Sequence, residues 1–385
     1  MPVSHGIPDS PGLAGFSFSY QAGTRPEAPF VLINRHDPDR GIGVSELWDL
    51  NLQSLVSVQT WPVDQVWSGL GRTSQLDNYP VNKSNPRYAP YHTLLLADGR
   101  LLSQYETPVV QADACGRLSA FNAKYLFHHS MERDADGNIW VPATLEPKTV
   151  DLGDAQFLDD AVTKLSPAGE LLFSRSVSAI LMENDLGYLL VGGNDFLVNN
   201  DPIHLNDIQP VLEDGPYYKR GDLFLSMRHL SMLMLYRPST DKILWYALGK
   251  TFHQHDVDIL SDHEISAFDN NTAMRDGTRI VNGANRFVVY NFADGQFREE
   301  FGQAMRTQEV RTPTNGRSEL LADGSLFVEE SDMGRMVDFA PDGSVDWTYV
   351  NRDERGDLIT LTWSRIVPRE LGEKFLSARK DATCD

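Results

Sequence analysis

Phe252-His253-Gln254-His255-Asp256-Val257-Asp258-Ile259-Leu260 opens on polar side chains and runs into a strand, and the chain repeats that design. Comparable stretches are Tyr91-His92-Thr93-Leu94-Leu95-Leu96-Ala97-Asp98-Gly99, His128-His129-Ser130-Met131 running to Asp136-Gly137-Asn138-Ile139, and Ile203-His204-Leu205-Asn206. Two more carry arginine: Gly316-Arg317-Ser318-Glu319-Leu320-Leu321-Ala322-Asp323-Gly324 and Trp363-Ser364-Arg365. A histidine placed by a repeat carries more weight than one met singly. If each stretch begins one sheet of a radial array, the six polar side chains point into one central well.

A hairpin pattern of strand, turn rich in Pro, Asp or Gly, and strand recurs at 46–56, 110–118, 164–172, 236–245, 290–297 and 338–347. The period of about 50 to 70 residues suits a four-stranded sheet with its loops. Each repeat then reads as an inner strand headed by His or Arg, a second strand, and an outer hairpin, which is a propeller blade. The first hairpin lacks an inner strand ahead of it, and 358–365 lacks a hairpin behind it, so the two ends are expected to complete one blade and remove a free edge. The expected fold is all-β, a six-bladed β-propeller, with five or seven blades as the nearest miscounts. Residues 1–29 are expected as an extended N-terminal arm, and 30–385 as a single domain. The stretches 78–90, 146–154, 213–220 and 270–275 read as loops walling the mouth of the well.

At 385 residues and 41% hydrophobic content the chain can bury a large core. A net charge of -20 argues against nucleic acid or an anionic membrane as partner, since both select basic patches. No apolar run approaches the roughly 20 residues that span a bilayer, and the N-terminus shows no export signal, which reads as cytoplasmic unless the chain is a mature form. Two cysteines allow neither a disulfide framework nor a four-thiolate metal site. Two ordinary thiols is the simplest reading of Cys115 and Cys384, with a tail-to-turn disulfide as the alternative.

His204 and Asn206 share strand parity, so both side chains can face one way. Arg228 closes the next strand, where antiparallel pairing would bring its guanidinium beside them. With His129 and His255 these groups form a dense donor cluster suited to sulfate or phosphate oxygens. Neutral imidazole is also a nucleophile near neutral pH. Alternation lets only one of His128 and His129 face the well. His5, His36, His229, His253 and His263 are expected to be structural or on the surface.

His204-x-Asn206, Ser226-x-Arg228, Trp245-x-x-x-Gly249, Gln254-His255-Asp256 and Phe268-Asp269-Asn270 together resemble the bacterial arylsulfotransferase family, whose members work without 3′-phosphoadenylyl sulfate. The resemblance is good over 128–270 and weaker to 368. It implies transfer of a sulfuryl group from an aryl sulfate donor to a phenolic acceptor, both small molecules, by a ping-pong route through a sulfohistidine and with no cofactor. By motif His255 is the implied nucleophile, and His204, Asn206 and Arg228 are its companions. His129 follows from the repeat as the equivalent of His255 on another blade. Arg228, His204 and His129 would hold sulfuryl oxygens, Asn206 would orient a ring or an oxygen, and Asp256 would fix an imidazole tautomer. His92, Arg317 and Arg365 are candidates for a charged substrate group. Tyr91 and Tyr125, with Tyr88, Tyr217 and Tyr218, are candidates for stacking on an aryl ring.

The family's export signal, N-terminal β-sandwich and short disulfide loop have no counterpart in this sequence. Periplasmic location and a homodimer therefore rest on the resemblance alone. Three other readings compete: a metal-dependent propeller lyase or hydrolase, against which the cationic Arg228 argues, a sulfate-ester hydrolase on the same scaffold, and a non-catalytic binding propeller.

Overall fold

The computed structural model describes residues 12–70, 84–153, 157–191, 200–275 and 278–384. Alternation decides the outer strands. In Lys242–Leu248 the even-numbered residues are exposed while Ile243, Trp245 and Ala247 turn inward, the period of two expected of a half-covered strand. Strands nearer the polar heads, such as Tyr91–Leu95 and Leu223–Met227, are buried at every position. Asp-Gly turns close the hairpins after Leu96 and Leu321. Gly99 and Gly324 adopt φ of 86° and 84°, the left-handed region that a Cβ disfavours, and their N–H groups close the turns onto Leu96 and Leu321 carbonyls.

The span 30–385, expected as one domain, divides into two compact units, one from the described residues up to Ala123 and from Thr307 onward, the other from Lys124–Arg306. In the first unit Phe30–Asp37, Ile42–Asp49 and Ser54–Trp61 form a meander, and the C-terminal strand Arg365–Val367 pairs with Phe30–Asp37 through Phe30↔Val367 and Leu32↔Arg365. The two chain ends thus complete one sheet, as the sequence pattern requires. Tyr91–Leu95, Leu101–Gln104, Thr107–Ala112 and the start of Leu118–Phe127 form the next meander. Arg317–Leu320, Leu326–Glu330, Arg335–Phe339 and Val345–Val350 form the third.

Part of the expected arm is strand. Gly15–Phe18 adds a fifth strand to this third sheet, and the Phe16 ring lies 4.8 Å from Tyr349 and 5.0 Å from Trp48. Residues 1–11, His5 among them, lie outside the described residues, as do 78–83 of the 78–90 loop. After Pro368 the helix Arg369–Asp381 buries Phe375 and Gly372, with Gly372 against the Phe30 ring. Beyond the helix, Cys384 is disulfide-bonded to Cys115 in the 113–117 turn, so the simplest reading of two free thiols gives way to the bridge.

In the second unit the strands Ile139–Thr144, Asp160–Leu165 and Leu171–Ser176 continue from Leu126 and Phe127. Leu205–Pro210, Leu223–Met227, Met232–Arg237 and Lys242–Leu248 form a four-stranded sheet, as do His255–Ile259, Glu264–Asp269, Arg286–Asn291 and Gln296–Glu300. The expected loop at 270–275 is instead half of a hairpin, Thr272–Arg275 with Thr278–Val281. Apolar faces of neighbouring sheets pack together, for example Val162, Ile208, Leu225 and Met234 in one cluster and Phe224, Leu235, Val257 and Ile265 in another. The fold is all-β and propeller-like, built of successive antiparallel meanders with few helices.

Candidate functional site

In the second unit the inner-strand heads break strand geometry with a left-handed residue: His129 (φ 59°), His204 (φ 54°) and Asp256 (φ 53°). Each such residue costs on the order of 1 kcal/mol or more, and such strain concentrates at functional sites. The pairing registers slip at the same places, between Leu205 and Asp207 and between His255 and Val257. A bulge re-aims side chains, so alternation does not decide which histidines meet. His129 meets His204 edge-on, with ring centroids 4.9 Å apart. His128 turns its Nε2 toward Asp160, 3.4 Å away.

His255 is completely buried. Its Nδ1 lies 2.6 Å from Asn270 Oδ1. An amide oxygen can only accept, so the neutral ring carries its proton on Nδ1 and its lone pair on Nε2. Burial, then the charge of Arg228, holds the imidazole well below its ordinary pKa, and the Asn270 bond opposes this only in part. His255 is therefore neutral at pH 7. Gln254 fixes the backbone ahead of it: its Nε2 donates to Ser226 Oγ and to the Met227 and Met232 carbonyls, and its Oε1 accepts from Thr251. Asn206 Nδ2 donates to the Gln254 carbonyl at 2.8 Å, so Asn206 too positions the His255 backbone.

Backbone pairing delivers Arg228 to His204, since the Arg228 N–H donates to the His204 carbonyl at 3.0 Å. The guanidinium is buried, and its Nη1 donates to His229 Nε2 at 2.7 Å. His229 Nδ1 in turn donates to the Asp201 carbonyl at 2.7 Å, while Asp201 Oδ2 takes the His204 Nδ1–H at 2.5 Å. Burial, followed by the neighbouring imidazoles and Arg228, also holds His129 well below its ordinary pKa.

His229 and His253, expected as structural or surface residues, belong to this cluster. Their rings are 6.1 Å apart, and burial with Arg228 pulls His253 down to about 4. The tautomer of His255 is set by Asn270, whereas Asp256 faces the charge of Asp207. Asn270, Gln254 and Asp201 are functional neighbours without an assigned role in the sequence. Asn270 and Gln254 stand in the family-like motifs, but only the fold shows what they touch.

In the first unit His92, Arg317 and Arg365 meet, as their matching places in the repeat suggest. His92 Nε2 lies 3.2 Å from Arg317 Nη1, and its Nδ1 lies 3.3 Å from Arg365 Nη2. Burial and these two cations hold His92 well below its ordinary pKa. Arg317 also donates to the Ser364 carbonyl and to Glu319.

Of the tyrosines expected to stack on substrate, Tyr88, Tyr91 and Tyr218 are buried, Tyr125 is half-buried and Tyr217 is exposed. Tyr91 is buried, donates to Asn315 and lies 5.3 Å from Trp363, and Tyr88 is buried against Trp61. The Tyr125 ring meets Phe127 and Lys124. Tyr217 and Tyr218 pack on Phe292. Tyr218 also lines a cavity of about 360 Å³ between Gln209–Gly215 and Ile259–Asp262, at the strand ends opposite the polar heads.

Asp201, His204 and His229 bring three possible metal-ligand atoms within 4.8 Å of one another. The hydrogen-bond pattern fits a metal poorly. His229 bound through Nδ1 would carry its proton on Nε2, where the Arg228 N–H already points.

The arylsulfotransferase (ASST) family model matches residues 102–352, a span that includes His129, His204, Asn206, Arg228 and His255. No curated protein sequence matches. Among solved structures, a protein of unknown function from Bacteroides caccae is similar over 88% of this chain and 99% of its own, with 12% identity and a TM-score of 0.53. Virginiamycin B lyase from Staphylococcus aureus is similar over 86% of this chain and 88% of its own at 10% identity, with a TM-score of 0.39. The likeness to the Bacteroides caccae protein speaks to fold alone, but the family match spans most of the chain and most of the histidine cluster: the protein belongs to the arylsulfotransferase family.

Proposed function

We propose that the protein moves a sulfuryl group from an aryl sulfate ester to a phenol, without 3′-phosphoadenylyl sulfate, by way of a sulfohistidine on His255. The observation that carries this reading is the His255–Asn270 pair, which leaves a buried neutral imidazole with its lone pair on Nε2. In the first half-reaction Nε2 attacks sulfur, the S–O bond to the aryl group breaks, and protonated His204 gives its proton to the departing phenolate. In the second, the acceptor phenol returns a proton to His204, its oxygen attacks sulfur, and the S–N bond breaks. Protons and the sulfuryl group balance over the cycle, and no cofactor enters.

Sulfuryl transfer, like phosphoryl transfer, places its transition-state charge on the equatorial oxygens, so positioning and donors do most of the work. Arg228 and His129 are assigned to those oxygens, each worth about 3 kcal/mol of barrier. Asn206 holds the His255 backbone. His92, Arg317 and Arg365, in the first unit, are by themselves a group suited to an anion.

The test is p-nitrophenyl sulfate with and without a phenol acceptor. Acceptor-dependent nitrophenolate release, formation of a new aryl sulfate, and loss of both in His255→Asn support the reading. Turnover unaffected by His255→Asn, or none across varied aryl sulfates, overturns it. A metal reading draws on the Asp201, His204 and His229 trio. Stoichiometric transition metal in the purified protein, with activity lost to chelator and restored by that metal, would favour it instead.

A further inference from the structure

Asp201 stands three residues ahead of His204, at the approach to the strand Leu205–Pro210. Its two acceptors face different members of the cluster. The carboxylate takes the His204 Nδ1–H at 2.5 Å, which leaves Nε2 as the nitrogen of His204 free for proton transfer. The main-chain carbonyl takes the His229 Nδ1–H at 2.7 Å, which leaves His229 Nε2 as an acceptor, and that acceptor holds Arg228 Nη1 at 2.7 Å. Every bond in this chain has one donor and one acceptor, so the tautomers of both rings follow from Asp201. Burial works to raise its carboxyl, but the hydrogen bond from His204 outweighs it and holds the group below its ordinary value.

We propose that Asp201 is a positioning residue for sulfuryl transfer. Its side chain sets His204 for proton transfer, and its main chain sets Arg228, through His229, for gripping the sulfuryl oxygens. The proposal rests on the sulfuryl-transfer reading above. The division of labour resembles that of the carboxylate in a Ser–His–Asp triad, which orients an imidazole and stabilises its protonated form without taking the proton itself.

The two roles separate experimentally, because Asp201→Asn removes the charge and keeps the main-chain carbonyl. The proton from His204 matters most when the leaving phenolate is a poor one. Asp201→Asn is expected to lower kcat by about 100-fold with phenyl sulfate and by less than about tenfold with p-nitrophenyl sulfate, the range of general-acid contributions. KM for both donors stays near the wild-type value, because Arg228 keeps its hold. In a His204→Ala background the same substitution removes less than about a further twofold, as expected of residues acting as one unit. Asp201→Glu, which restores the carboxylate, recovers part of the phenyl sulfate rate.

Equal losses with both donors, or a full additional loss in the His204→Ala background, overturn the proposal and leave Asp201 a structural residue. If Asp201→Asn does not fold, Asp201→Glu carries the same comparison: a donor-independent loss in it overturns the proposal. Failure of the underlying reading is told apart by the wild type, which would then neither turn over aryl sulfates nor carry a sulfuryl adduct.

Discussion

His255 Nδ1 and Asn270 Oδ1 are 2.6 Å apart across fifteen residues of chain. The pairing places Phe268 opposite His255, so Asn270 stands just past the end of the neighbouring strand, where its side chain reaches back to the ring. Asn270 is itself tied down, its carbonyl accepting from Asn285 Nδ2 at 2.8 Å. Asn270→Leu is expected to leave the Nδ1–H without its acceptor and let the unproductive tautomer form. The loss of one buried hydrogen bond predicts a fall in kcat of about 10- to 100-fold. Asn270→Asp, which still accepts, should retain more activity, and steady-state kinetics on both variants checks this.

Acid sensitivity follows from the buried imidazoles. In the folded state His255 and His92 titrate well below the ordinary value near 6.5. Above that pH their contribution to stability is fully present. As pH falls through it the unfolded chain takes up protons that the folded chain refuses, at about 1.4 kcal/mol per histidine per pH unit. Buried acids run the other way, Asp338 being pushed up to about 7 by burial and then by Asp346. The histidine share is therefore read as a difference. Between pH 7.5 and 5 the urea midpoint of wild type should fall more than that of His255→Asn, and parallel curves would contradict the assignment.

The Cys115–Cys384 bridge closes 269 residues of sequence separation and fastens the end of the C-terminal helix. Reduction, or Cys115→Ser, is expected to remove about 2–5 kcal/mol of stability. Thermal unfolding with and without reductant measures it.

Gly372 is required by Phe30. A Cβ at 372 would stand 2.4 Å from Phe30 Cδ2, so Gly372→Ala forces the helix Arg369–Asp381 away from the Phe30 ring. Overpacking of this kind destabilises by about 1–3 kcal/mol. Chemical denaturation of Gly372→Ala, with and without Phe30→Leu to make room, should show the loss and its partial recovery.

Much of this was legible in the sequence because a repeat amplifies weak signals. The hairpins, the polar heads and the return of the C-terminal stretch to the first sheet come from patterns that recur, although the sequence placed that strand at 358–365 and the structure pairs 365–367. His204, Asn206, Arg228 and His255 were legible through their motifs. Left-handed conformations at His129, His204 and Asp256 were not, since nothing in those side chains announces a positive φ. They explain why parity failed to separate His128 from His129. Asp201 and His229 escaped because their bonds join residues through the fold: Asp201 precedes the repeat unit, and His229 follows an arginine whose Nη1–H its ring accepts only in the folded chain. The Gly15–Phe18 strand escaped because only its pairing with Val345–Val350 makes it a strand.

The central claim meets its most direct test in the mass of the protein after rapid mixing with p-nitrophenyl sulfate in the absence of acceptor, followed by peptide mapping under conditions that preserve a phosphoramidate-like S–N bond. The account predicts one sulfuryl group per chain, located on His255, discharged by added phenol and missing in His255→Asn. An unmodified protein that nevertheless releases nitrophenolate, or an adduct on a different residue, would contradict it.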